Sequence, residues 1–174
     1  MKKILSFVML VALFGMSIAG LAQAATEGTV TATVTVLYTS VSINNTSFDY
    51  GTVPANTASS TLALWGGAGI VATLTGANTD VDIKGDNTTG GTGWTLSGTA
   101  NTDNNYMHYF CNDTDNVCTD TGSNYTALTT SYAVLDTGIS NGNTVAFQLN
   151  ILTPQVPTAF VQQSSVVTIL ATAK

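Results

Sequence analysis

Residues 29–38, Thr-Val-Thr-Ala-Thr-Val-Thr-Val-Leu-Tyr, alternate small polar and apolar side chains with period two. That period places Val30, Ala32, Val34, Val36 and Tyr38 on one face of an extended strand. Shorter alternations follow at 41–43, 61–65, 70–75 and 79–84, the last with Val81 and Ile83 on one face and Asp80, Asp82 and Lys84 on the other. Residues 48–54 put Phe48 and Tyr50 on one side of a strand that leaves the core at Gly51 and Pro54. Further strands are predicted at 94–96, 106–110, once within 128–135, at 144–152 and at 165–173. Gly66-Gly67-Ala68-Gly69, the polar runs 86–93 and 111–123, and Pro154 with Pro157 supply the turns between them. About nine short strands at regular spacing, with no helical period outside the first 24 residues, predict an all-β, single antiparallel two-sheet sandwich.

The first 24 residues follow another pattern. Lys2 and Lys3 precede an apolar run over 4–13, and Ala22-Gln23-Ala24 is a small-x-small cleavage site, the arrangement of a secretory signal peptide. An uncleaved anchor would need the apolar run to continue, and Ser6, Gly15, Ser17 and Gly20 dilute it. The expectation is a signal peptide over 1–24 and one domain over 25–174, secreted or held at the cell surface, with no stable membrane insertion after cleavage. A domain of that length buries about 68–70% of its unfolded surface.

Composition sharpens the picture at three points. Charged residues make up 8% of the chain, so Thr, Ser, Asn and Gly carry its solubility, while the regular alternation separates it from a disordered polar chain. There is no Arg, and after cleavage Lys84 and Lys174 stand against all ten acidic residues. Such a surface suits neither nucleic acid nor anionic membranes. Cys111 and Cys118 are the two cysteines, and in an oxidising compartment they are expected to form a disulfide contributing about 2–3 kcal/mol.

Little in the chain points to catalysis, and no enzyme is expected. Its one histidine, His108, lies in an aromatic-rich strand, and no Gly-x-Ser-x-Gly motif is present. Asp80 and Asp82 share a strand face, a spacing compatible with paired carboxylates but equally with a solvated strand. No cofactor is expected beyond calcium, the one metal chemistry on offer. Asn112-Asp113-Thr114-Asp115-Asn116 and Asp120 supply hard oxygen ligands in a short loop, with Asp113, Asp115 and Asp120 as the candidate ligands. The run lacks the glycine and closing glutamate of an EF-hand, and polar turns in acidic proteins produce similar runs. Sequons for N-glycosylation occur at Asn44, Asn45, Asn87, Asn112 and Asn124, and Trp65, Trp94 and Tyr125 are the aromatics that could stack on sugar.

The stretch Phe48-Asp-Tyr-Gly-Thr-Val-Pro-Ala-Asn-Thr-Ala-Ser-Ser-Thr-Leu-Ala-Leu-Trp65 resembles a signature of bacterial and archaeal Ig-like surface domains, those of the ASPM/SPD-2/hydin type. The resemblance implies an Ig-like sandwich. Gly93-Trp94-Thr95-Leu96 resembles the first motif of the WxL cell-wall-binding domain, which implies a surface module contacting wall glycan. In layout alone the chain is similar to TasA-like and archaeal bundling-pilus filament subunits, which implies self-association by an N-terminal strand. An uncharged strand edge without Lys, Pro or bulge is a template for pairing. Residues 29–38 therefore either lie within their own sheet, beside 165–173, or add to the sheet of another copy. The favoured expectation is a structural subunit of an extracellular filament, coat or matrix; the alternative is an adhesion module recognising wall glycan or another surface protein.

Overall fold

The computed structural model describes residues 31–65, 69–115, 117–119 and 124–174. The signal peptide, Val30 and Asp120 lie outside the described residues. In chain order the elements are β1 (Thr39–Ile43), β2 (Ala58–Ser60), α1 (Thr61–Trp65), β3 (Ile70–Gly76), β4 (Thr79–Gly85), β5 (Thr95–Leu96), β6 (Asn105–Asn112), β7 (Thr126–Ala127), β8 (Ala133–Ile139), β9 (Thr144–Leu152) and β10 (Val167–Ala173). The fold is all-β, in two sheets. The larger runs β1-β3-β9-β6-β5, with β2 also on β9 and β7 also on β6; the smaller runs β10-β4-β8. Every pair is antiparallel except β5 with β6, which is parallel.

Alternation decides which faces meet. Ala72 and Leu74 of β3, Val145 and Phe147 of β9 and Phe110 of β6 join Val81 and Ile83 of β4 and Leu135 of β8 in one buried cluster. On β4 the expected pattern holds residue by residue, with Thr79, Val81, Ile83 and Gly85 buried and the intervening positions half-buried. At the rim of the cluster, Val41 and Ile43 of β1 and Val167, Ile169 and Ala171 of β10 are only partly buried. Val36–Lys174 forms one compact unit.

The strand expected at 61–65 is a single helical turn. Ser60 stands at its N-cap and accepts a hydrogen bond from Ala63 N–H at 3.0 Å, while Leu-Ala-Leu favours helix over strand. The turn interrupts what would be one long strand, since β2 and β3 pair with successive stretches of β9. Thr61 closes the gap in the ladder. Its hydroxyl accepts from Leu149 N–H at 2.9 Å and lies 2.6 Å from Gln148 Oε1, and Thr61 and Gln148 are both fully buried.

Two other expectations change. Residues 48–53 form no strand, because Asp49 Oδ1 accepts from Gly51 N–H at 2.8 Å and Gly51 takes φ +70°, closing an Asx turn. Nor do residues 31–38 form a strand: β1 begins at Thr39. Their alternation lacks a ladder partner, because β3 ends at Gly76, opposite Thr39. A period of two describes a chain fit for a sheet, and a strand needs a neighbour as well.

Thr61→Val keeps the shape of the plug and removes its hydroxyl. Leu149 N–H and the Gln148 amide oxygen then lose that partner in a buried site, at a cost of about 1–3 kcal/mol. Urea unfolding should show a lower midpoint with an unchanged slope. An unchanged midpoint would mean that the ladder gap needs no plug.

Candidate functional site

The smaller sheet ends in two edges of different character. β8 meets β4 with register shifts between Thr79 and Val81 and between Val81 and Asp82, and Gly138 sits at φ +70°. Such irregularity blunts an edge against further pairing. β10 pairs with β4 in unbroken register over seven residues, from Val167 opposite Gly85 to Ala173 opposite Thr79. It contains no charge, proline or glycine, and its other side has no strand partner among the described residues. Both ends of β10 are pinned. Ser165 Oγ donates to Asp86 O at 3.0 Å and lies 2.6 Å from Tyr106 Oη, and Lys174 N–H donates to Asn78 O at 2.8 Å.

The described candidate assembly residues belong to no strand. Ala32, Val34, Val36 and Tyr38 are all exposed, Val34 at 87% and Val36 at 77%. At the start of β1, Ala77 N–H donates to Tyr38 O at 2.8 Å. That approach depends on glycine: Gly76 has φ +116°, and a Cβ there would lie 2.2 Å from the Tyr38 oxygen. Thr39 Oγ1 reaches Thr79 Oγ1 at 2.7 Å, joining the start of β1 to the smaller sheet. Of the two arrangements expected for 29–38, a place beside 165–173 or addition to another copy, the described part 31–38 forms no strand, and the one strand partner of β10 among the described residues is β4.

Of the remaining candidates, those described make contacts within the fold. Cys111 and Cys118 are bonded, with Cα atoms 5.9 Å apart. The loop they close docks on β9: Asp113 Oδ2 accepts from Gln148 Nε2 at 3.0 Å, Asp113 N–H donates to Ala146 O at 2.8 Å, and Ala146 N–H donates to Thr114 Oγ1 at 2.7 Å. Asp115 Oδ2 accepts from Asn112 Nδ2 at 3.1 Å. Among the described residues no group of three His, Cys, Asp or Glu side chains is placed to hold a metal. Four sequon side chains are likewise engaged with backbone: Asn44 with Val71, Asn87 with Leu96, Asn112 with Leu135 and Asn124 with Val117. Asp80 accepts from Gly138 N–H and from Lys174 Nζ, which hold its carboxyl below the usual range, the reverse of what a general acid requires.

A row of rings closes the far end of the core. Trp65 meets Phe48 edge-on, Phe48 meets Tyr50, Tyr50 meets His108, and His108 and then Trp94 lie against Tyr106. Trp65 and Trp94 are half-buried in this row, so neither stands out as a platform for sugar. Tyr50 Oη lies 2.9 Å from His108 Nε2, and Nδ1 is buried with no hydrogen-bond partner. Burial lowers the His108 imidazole to about 4 and raises the Tyr106 phenol to about 12. No helix among the described residues is long and apolar enough to cross a membrane. Comparison of the chain with protein-family models, with curated proteins and with solved structures finds no match.

The buried histidine makes stability pH-dependent with a definite sign. An unfolded histidine titrates near 6.5, so between there and about 4 the unfolded chain binds a proton that the folded chain excludes. The stabilisation is complete above the unfolded value and is lost as pH falls through this window, by about 3 kcal/mol. Asp80, whose carboxyl is lowered, works in the same direction but below the ordinary carboxylate range. The urea midpoint should therefore drop between pH 7 and 4.5, and His108→Phe should flatten that decline. Equal declines in the two proteins would remove His108 as its source.

Proposed function

We propose that the chain is a secreted structural protein, a subunit of an extracellular filament, coat or matrix, and that its Ig-like sandwich is joined to the next by β-strand addition. The observation that carries this reading is the state of residues 31–38: uncharged, apolar at alternate positions, exposed, and part of no strand. A stretch fit for a sheet but left without one is a liability in a monomer and an asset in an assembly. In strand addition the backbone supplies affinity, and alternate side chains entering a groove supply specificity. Cleavage after Ala24 leaves this segment at the N-terminus, free to enter a neighbour.

The reading is tested on the protein lacking 1–24, beside a version that also lacks 25–37, by size-exclusion chromatography and negative-stain imaging. The longer protein should form ordered polymers that resist mild denaturant. The shorter one should be monomeric with unchanged far-ultraviolet circular dichroism, because the first ladder begins at Thr39. A longer protein that stays monomeric at every concentration would overturn assembly, and retention on cell-wall material would then mark a binding module.

A further inference from the structure

Resting on that assembly reading, we propose that the acceptor is the free edge of β10, and that residues 31–36 of a second copy lie antiparallel to it with Val34 opposite Ile169. Four observations lead there.

The first is coverage. Strands β1 and β10 border the same side of the molecule, and their inward residues, among them Ile43 and Ile169, are only partly buried. One strand further in, their partners Ala72 and Ile83 are both 0% exposed. The larger sheet extends to β1, while the smaller stops at β10. A fourth strand beside β10 would cover the inner face of β1.

The second is the edge itself. Of the other edges, β8 is bulged, β5 has two residues and β1 five, whereas β10 offers seven in regular register. Donor and edge are both uncharged and rich in Thr, Val and Ala, so neither must desolvate an ion to pair.

The third separates a second copy from the same copy. To reach its own β10, the segment would have to reverse direction immediately before β1. The residues available for that reversal are Leu37, Tyr38 and Thr39, which are poor turn formers. Tyr38 O and Thr39 are also already engaged with Ala77 and Gly76. No tight turn fits there, and a second copy needs none.

The fourth fixes direction and register. The chain enters β1 at the end of the molecule where β10 finishes, since Thr39 touches Thr79 and Thr79 pairs with Ala173. In a head-to-tail row the donor's own body stands beyond the opposite end, near Val167. Its segment then runs from Ala173 toward Val167, antiparallel to β10, as both existing pairs of that sheet are. Matching apolar faces sets Ala32 opposite Ala171 and Val36 opposite Val167. The same register lays Leu37, 61% exposed, beside Val166, 62% exposed. Thr33 then faces Leu170 on the outer surface.

Directly opposed residues have Cβ atoms about 4.5–5.5 Å apart, close enough for a disulfide after small adjustment. Thr33→Cys, Leu170→Cys and Val134→Cys are made singly in the protein lacking 1–24; the last places a thiol on the β8 edge. Mixed under mild oxidation, Thr33→Cys and Leu170→Cys proteins should give a reducible dimer in several-fold excess over Thr33→Cys mixed with Val134→Cys. Polymers on the grid with equal or reversed yields would overturn the β10 acceptor while leaving strand addition standing. Preferential bonding of Leu170→Cys to Thr31→Cys or Thr35→Cys would overturn the register. Absence of polymers from every variant and from the parent would overturn the assembly reading, and this acceptor with it.

Discussion

The inner face of the larger sheet carries Ala72, Leu74, Val145 and Phe147 as one apolar surface, and the fold is arranged around keeping water from it. Burying such residues is the dominant favourable term in folding. The three strands β10, β4 and β8 cover the middle of that face. Toward β6 the cover continues through Leu128 and the row of rings from Trp65 to Trp94. Toward β1 it thins, and the residues there are half-buried rather than buried. The unequal width of the two sheets thus leaves one flank of the core less protected than the rest.

The parts of the fold legible in the sequence include the central strands and also the edge strand β10, which falls within the expected 165–173. β9 occupies Thr144–Leu152 as its alternation predicts, and β4 buries the expected face; both are central strands, so pattern and environment agree. The misreadings lie where local hydrogen bonding competes with the ladder. Ser60 caps a helical turn that the alternation of 61–65 does not announce, although Ser-Thr ahead of Leu-Ala-Leu is a helix-start signal. Asp49 draws the backbone at Gly51 into a turn within a stretch of strand-like aromatics. In each case a short polar side chain offers the backbone a partner nearer than the next strand.

The candidate site was legible in its composition but not in its placement. That 29–38 is uncharged and alternating is a property of the residues; that its described part, 31–38, has no ladder partner among the described residues depends on where β3 ends, which is set by Gly76 and the turn to β4. The free edge of β10 is a property of strand order, and strand order is decided by pairings between residues far apart, such as Ala173 with Thr79. Asp113 shows the same limit. The run around it has the composition of a cation loop, yet its carboxylate turns toward Gln148, a residue more than thirty positions away on β9. The interruption of the β2–β3 strand by α1 brings Thr61 to that same glutamine, so a local feature in one loop determines what a carboxylate does in another.

Charge favours strand addition over ion pairing as the contact in the proposed assembly. Beyond the proposed cleavage site two lysines face ten acidic residues, and both are already occupied: Lys174 with Asp80 at 3.0 Å, Lys84 over the Tyr132 ring at 5.2 Å from its centroid. Two copies of such a surface repel one another at long range. An attraction between them has to come from groups that carry no charge, and two remain: backbone N–H and C=O groups along a free edge, and apolar side chains in a half-covered seam. The chain keeps its acidic residues off both 29–38 and β10, placing Asp80 and Asp82 instead on the outward face of the neighbouring strand. In the proposed assembly, repulsion between the bodies and attraction between the uncharged edges would act on different surfaces, so that end-to-end joining through a single strand is the contact of lowest electrostatic cost.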